Sequence, residues 1–186
     1  MIERSRSDLA APAEVAGPPR LHIPVVSGSG TGPTELAAFD AALVAAGIAD
    51  RNLIRLSSVI PPGAVVERSS GPVHAPGDWG DRLYVVLAEL RTTQLHDRLA
   101  AGIGWVQTDD GKGLFVEHEG HSLDEVQTHI HDSLESLVRS RDVEFGEPQM
   151  HVVETVCDGP AACALVAAVV ESAPWRAHVP DVIDLS

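Results

Sequence analysis

The stretch VVSGSGTGPTELAAFDAALVAAGIADRNLIRLSSVIPPG, residues 25–63, carries the features on which fold and chemistry turn. It opens at the end of an apolar β-like run, Leu21 to Val26, and passes into a glycine-rich segment, Ser27 to Pro33. That segment reads as a loop between strand and helix. Thr34 suits an N-cap, with Glu35 in the first turn. Leu36, Phe39, Leu43 and Ala46 recur at helical spacing, and Gly47 suits the position just past the helix end. Residues 34–46 are therefore expected to form an amphipathic helix. Leu53 to Leu56 is a strand candidate that runs into Ser57-Ser58 and Val59-Ile60. Pro61-Pro62-Gly63 cannot continue a ladder and must turn the chain.

Working outward, Ala64 to Glu67 and Leu83 to Leu90 read as strands, separated by a loop at 68–82. Residues 92–99 suit a short helix. Ile103 to Gln107 and Leu114 to Glu119 flank Asp109-Asp110-Gly111, a hairpin signal. Ser122 and Glu125 form a capping box for a helix over 122–139, whose apolar stripe is Leu123, Val126, Ile130, Leu134 and Leu137. His151 to Cys157 is a strand, and Pro160 can open an Ala- and Val-rich helix over 161–171. Strands and helices mix without regular βαβ alternation, which favours an α+β or layered sandwich over a doubly wound sheet. Residues 1–20 are expected to be a mobile leader without the apolar core of a secretory signal, 21–173 the single domain, and 174–186 an irregular tail.

Composition narrows the function. The 186 residues are 44% hydrophobic, ordinary for a folded domain, but only 4% aromatic, so the core must be aliphatic. Thirteen Lys and Arg against 27 Asp and Glu give a net charge of −14. That balance argues against nucleic acid or an anionic membrane surface as partner. No apolar run reaches the roughly 18 residues of a membrane span, and a cytoplasmic protein is the simplest expectation. Cys157 and Cys163 are expected to be buried and reduced.

Three chemistries come into view. The glycine-rich segment lacks the lysine of a phosphate-binding loop, and Pro33 stands where the dinucleotide pattern needs its third glycine. His118, His121, His129 and His131 cluster in sequence without an HxxxH or HExxH spacing, so no metal is expected. Ser57-Ser58, by itself, is a turn signal.

The segments around the two serines change that. Residues 25–63 closely resemble the pyruvoyl-dependent arginine decarboxylases in the glycine-rich segment, TELAAFDAAL, AGI and NLIRLSSVIPPG. GLFVEHEG (113–120) resembles that family's catalytic-glutamate strand, and ETVCDGPAACALVAAVV (154–170) its C-terminal block. The resemblance implies a four-layer αββα sandwich, assembled as a homotrimer or a dimer of trimers with active sites between subunits. It implies cleavage between Ser57 and Ser58, with residue 58 becoming a covalent pyruvoyl group that forms a Schiff base with an amino-acid substrate. It further implies Asn52 as an aid to processing, Glu117 as general acid, and Asp40 as the guanidinium partner beside Leu36 and Leu43. An acid working near neutral pH needs an apolar pocket, which Leu114, Phe115 and Val116 would supply. L-arginine converted to agmatine and carbon dioxide is the implied reaction. A different amino acid, or an uncleaved binding protein of the same fold, are the alternatives. Glu89 and Arg91 stand where the family tends to have small or hydroxylated residues, Ala49 replaces a usual glycine, and Arg51 adds a charge beside the expected site.

Overall fold

The computed structural model describes residues 21–73 and 76–175. The expected leader and residues 176–186 of the expected tail lie outside the described residues. In chain order the elements are β1 (His22–Gly32), α1 (Glu35–Ala46), β2 (Asn52–Arg55), β3 (Val59–Ile60), β4 (Val65–Arg68), β5 (Arg82–Thr92), β6 (Arg98–Gln107), β7 (Gly113–Gly120), α2 (Leu123–Arg139), β8 (Gln149–Val156) and β9 (Ala161–Ala173). They form a mixed α+β structure with a five-stranded sheet, β2-β5-β9-β1-β4, and a four-stranded sheet, β3-β7-β6-β8. Among the described residues no helix is long and apolar enough to cross a membrane.

The expected helix at 161–171 is a strand. β9 pairs antiparallel with β1 on one edge and β5 on the other. Ala162, Ala164, Val166 and Ala168 face the core between the sheets, while Ala161, Cys163, Leu165, Ala167 and Val169 face the core under α1. Both faces are covered, so the alternation that marks a half-exposed strand vanishes and the run reads as continuously apolar. Alanine's local helix preference yields to two sheet partners and two cores. Both cysteines are buried and free, as expected. Burial pushes the Cys163 thiol up to about 12, nearby Glu89 adding to the effect and Arg91 opposing it.

The expected glycine-rich loop is likewise strand: β1 runs through to Gly32, paired with β9 from Val25 to Gly32. Its glycines admit α1. A Cβ on Gly28 would fall 2.1 Å from the Ala42 carbonyl oxygen, and one on Gly30 2.5 Å from that of Ala38. The buried stripe of α1 is correspondingly Ala38, Ala42, Leu43 and Ala46, while Leu36 is 70% exposed and Phe39 only partly buried. Of the expected stripe Leu43 and Ala46 are buried, while Leu36 and Phe39 give way to Ala38 and Ala42, because where the helix lies on the bare backbone of Gly28 and Gly30 there is no room for larger side chains. The expected caps hold: Thr34 accepts from Ala37 N–H, and Gly47 adopts a left-handed φ of 78° while its N–H closes on the helix end.

α2 covers the other sheet with Val126, Ile130 and Leu134. Its capping box is shifted: Ser122 accepts from Glu125 N–H, but the Glu125 carboxylate takes the N–H of His121 at 2.7 Å, one residue before the cap. The hairpin at Asp109-Asp110-Gly111 joins β6 and β7, with Gly111 at φ 87°. Residues 93–97 form a turn in place of the expected short helix; the N–H of His96 donates to Cys157 O, and that of Cys157 to Asp97 O.

Gly28→Val should cost about 3 kcal/mol of stability, because the obstacle is helix backbone that cannot rotate away. The check is the denaturant midpoint against wild type. A loss under about 0.5 kcal/mol would mean that α1 does not ride on β1 as described.

Candidate active site

Ser57 and Ser58 lie where the chain passes from one sheet to the other. β2 pairs parallel with β5, and the pairing extends to Leu56, whose N–H donates to Val85 O at 2.9 Å. Three residues later Val59 pairs with Leu114 of β7 in the second sheet. The crossing is held at both serines. Ser58 O accepts the Phe115 N–H at 2.9 Å, and Ser57 O accepts the Val59 N–H at 2.8 Å, closing a three-residue turn around Ser58. The peptide between the serines thus has its carbonyl oxygen on a backbone donor.

Glu117 stands next to it. β3 covers β7 only at Gly113 and Leu114, so beyond Phe115 that edge of β7 has no strand partner among the described residues. Glu117, two residues on from Phe115, shares its face and reaches Ser58. The Ser58 hydroxyl donates to the carboxylate, 2.7 and 2.8 Å from its two oxygens. A carboxylate accepting from a serine hydroxyl is placed to take its proton, and so to sharpen the oxygen as a nucleophile. A cavity of about 510 Å³ opens over this pair, walled by Phe115, Val116 and Leu137 on its apolar side and by Asp132, Ser133 and Ser136 of α2 on its polar side. The pocket is thus mixed in character, where an apolar one was expected.

His118, the next residue on β7, turns to α2 and shares a 2.8 Å hydrogen bond with the Ser133 hydroxyl. Burial pushes its pKa below the usual histidine value; His129 adds to the effect, while Glu119 and Glu117 oppose it. The sequence reading singled out neither His118 as a site residue nor Asp132 and Ser133. Their signal was the spacing 129, 132, 133, 136 along one flank of the α2 stripe. No metal was expected. On the exposed surface of α2, His131, Asp132 and Glu135 bring ligand atoms within 4.8 Å of one another, an ordinary grouping on an acidic helix.

The other expected site residues stand elsewhere in the single chain. Asn52 opens β2; its amide side chain donates to Gly80 O and its N–H to Asp81 O. Four residues, Leu53 to Leu56, on the order of 15 Å of extended chain, separate it from Ser57. Asp40 and Leu36 are exposed on α1, and Leu43 is buried beneath it. α1 packs on β1, β9 and β5, across the five-stranded sheet from the serines. On that same side Glu89 holds the Arg91 guanidinium through two hydrogen bonds, 2.6 and 2.9 Å, and Arg55 through one of 2.8 Å. Arg91 in turn lies 3.8 Å from the ring centroid of Phe39.

Fold and site together define a class: an α+β protein of two sheets and two helices that sets a Ser-Ser peptide, at its crossing between sheets, against a carboxylate. The chain belongs to the pyruvoyl-dependent arginine decarboxylase family, whose profile matches residues 22–173. It is 36% identical over 162 residues to the pyruvoyl-dependent arginine decarboxylase of Halobacterium salinarum, covering 84% of this chain and 97% of that one. With its namesake from Methanopyrus kandleri it shares 33% identity over 147 residues, 78% of this chain and 93% of the relative. The Thermococcus kodakarensis protein of the same name is 34% identical over 139 residues, 73% and 85% of the two chains. Membership carries with it a covalently bound pyruvoyl group, and the Ser57–Ser58 peptide, with its carbonyl on a donor and its hydroxyl on a carboxylate, fits the formation of one.

The His118 shift has a consequence for stability. Below its ordinary value of 6.5 the unfolded chain takes up a proton that folded His118 resists, so the unfolded state binds more protons there. Stability should fall as pH drops from about 7 through about 5.5. Thermal unfolding across that range should show a shallower decline for His118→Gln than for wild type. Identical slopes would remove His118 from the account.

Proposed function

We propose that this protein is a self-processing decarboxylase that converts L-arginine to agmatine and carbon dioxide, with residue 58 as the source of its pyruvoyl group. The observation that carries the reading is the Ser58 hydroxyl donating to Glu117 while Ser57 O is held by the Val59 N–H.

Processing follows from those contacts. Ser58 Oγ attacks the carbonyl carbon of Ser57, and Glu117 takes the hydroxyl proton. The Val59 N–H stabilises the charge developing on Ser57 O. The peptide C–N bond breaks, its nitrogen is protonated, and an ester joins Ser57 to Ser58 Oγ. Loss of the Ser58 Cα proton expels the Ser57 carboxylate from Cβ, which leaves dehydroalanine at 58. Hydrolysis of that residue releases ammonia. Asn52 aids processing by tying the entry of β2 to Gly80, which fixes the strand that delivers the serines.

The resulting group supplies the electron sink that decarboxylation of an amino acid requires. The rest is the work of side chains. Glu117, still beside residue 58, gives a proton to the substrate Cα once carbon dioxide has left. Phe115, Val116 and Leu137 keep water from that carbon. Asp40 pairs with the guanidinium, a partner suited to two parallel hydrogen bonds, Leu36 contributes pocket wall, and Leu43 seats the helix that carries both. Asp40 and Leu36 are exposed and lie across a sheet from their own chain's serines, which supports a site completed by α1 of a neighbouring subunit. A homotrimer, alone or paired, is the assembly proposed. The order α1, five-stranded sheet, four-stranded sheet, α2 is read as the four-layer αββα sandwich, supported by three separate cores, one between each pair of layers.

A second reading, a different amino acid as substrate, draws on Arg91. Its guanidinium lies on Phe39, the residue before Asp40, and is held there by Glu89. A resident cation so near the proposed guanidinium partner would favour a substrate with less positive charge.

Mass spectrometry of the denatured protein should give two fragments, one ending at Ser57 and one beginning at residue 58 with ammonia lost. Ser58→Ala should give one intact chain and no decarboxylation of arginine; activity in that variant would overturn the assignment. Glu117→Gln should slow cleavage and lower kcat of whatever is cleaved by about 10²- to 10⁴-fold. Carbon dioxide release from a panel of amino acids separates arginine from the second reading.

A further inference from the structure

The edge of the sandwich opposite Ser58 holds a second polar site. There β4 leaves β1 after Arg68, and Ser69 N–H makes the last contact, to Val25 O at 2.9 Å. β8, the edge strand of the other sheet, packs alongside β1. Between them opens a cavity of about 470 Å³, lined by Ser27, Arg68, Ser69, Ser70, Gly71 and His151, with Ala45 and Pro72 at its margin.

Three observations mark it as built for a negative ligand. His151 is only 6% exposed, yet neither of its ring nitrogens has a hydrogen-bond partner among the described residues. A buried polar group without a partner costs on the order of 1–3 kcal/mol, so a site with a partner to come is the economical reading. Second, Arg68 makes no ion pair among the described residues, although the chain carries 27 acidic side chains and Arg55, Arg91, Arg98 and Arg139 each hold a carboxylate. Third, none of the described residues lining the cavity is acidic, in a chain of net charge −14. An exposed guanidinium, a buried imidazole and serine hydroxyls line one cavity to which no described carboxylate contributes.

We propose that this cavity binds a small oxyanion, a phosphate or a carboxylate group, with Arg68 presenting its planar fork and with His151, Ser27 and Ser70 completing the hydrogen bonds. Ser69 is already engaged, donating to Gly71 O at 2.6 Å, and shapes the loop. Burial, and then the Arg68 charge, hold His151 below the usual histidine range, so it enters as a neutral ring with one N–H to give. An anion between ring and guanidinium would reverse the second of those effects. Within one chain the cavity shares no lining residue with the one over Ser58 and Glu117.

Calorimetric titration of the full-length protein at constant ionic strength tests the proposal, with inorganic phosphate and with acetate as separate probes. Saturable binding, one anion per chain, is expected for wild type and for uncleaved Ser58→Ala. Arg68→Gln should weaken it about tenfold to a hundredfold, the worth of one charge-assisted contact, while arginine decarboxylation measured without added anion stays at the wild-type rate. Tighter phosphate would identify a phosphate-bearing ligand, tighter acetate a carboxylate. Arg68 is exposed, so its replacement keeps the fold; His151→Gln is the second variant, scored only if its unfolding midpoint matches wild type. No saturable binding of either anion, or equal binding by wild type and Arg68→Gln, would overturn the site.

Discussion

Strand β9 is hydrogen-bonded along both edges and buried on both faces, and the rest of the molecule is arranged around it. Its alternating side chains feed two cores, one shared with the second sheet and one shared with α1. Small residues set the spacing. Alanine on β9 and glycine on the neighbouring β1 bring α1 down onto backbone, and α1 answers with alanine of its own. A chain poor in aromatic residues fills space in this way, by bringing backbones close instead of filling gaps with large side chains.

That close packing leaves the sandwich edges to carry the polar chemistry. At one edge the chain changes sheets in the space of three residues, Leu56 to Val59, and the serines occupy the step. The β2 ladder ends before them and the β3 ladder starts after them, so each serine carbonyl has a single backbone partner: Val59 N–H for Ser57, and Phe115 N–H of β7 for Ser58. A peptide held by a few identified hydrogen bonds, with one face against a carboxylate, can be attacked without dismantling a sheet. At the other edge β4 and β8 leave a gap in which Arg68 and His151 meet serine hydroxyls.

Three charged residues on the α1 side of the five-stranded sheet find partners within the chain. Glu89 binds Arg91 and Arg55, and Arg91 lies on Phe39. Each of these charges would be costly alone on a half-covered sheet face. Together they form a closed group beside the helix that carries Asp40, and this couples α1 to β5 by electrostatics as well as by apolar contact.

Much of this was legible in the residues. Helix α2 announced itself through its stripe and its cap, the β6–β7 hairpin through Asp-Asp-Gly, and the kinship to the decarboxylases through two serines followed by Pro-Pro-Gly in the company of Glu117. Those signals are local, or depend on residue identity at fixed spacing, and the sequence by itself determined them along with the family. Alanine at 161–171 and glycine at 27–32 misled, because local preference registers only chain neighbours, whereas their conformation was settled by strands and a helix arriving from elsewhere. Ser58 and Glu117 meet across 59 residues of chain, and Arg68 and His151 line one cavity from different sheets. Asp40 and Asn52 stand away from the serines of their own chain for the same reason. Which face and which edge a side chain occupies is decided by sheet order, and sheet order exists only once the whole chain has packed.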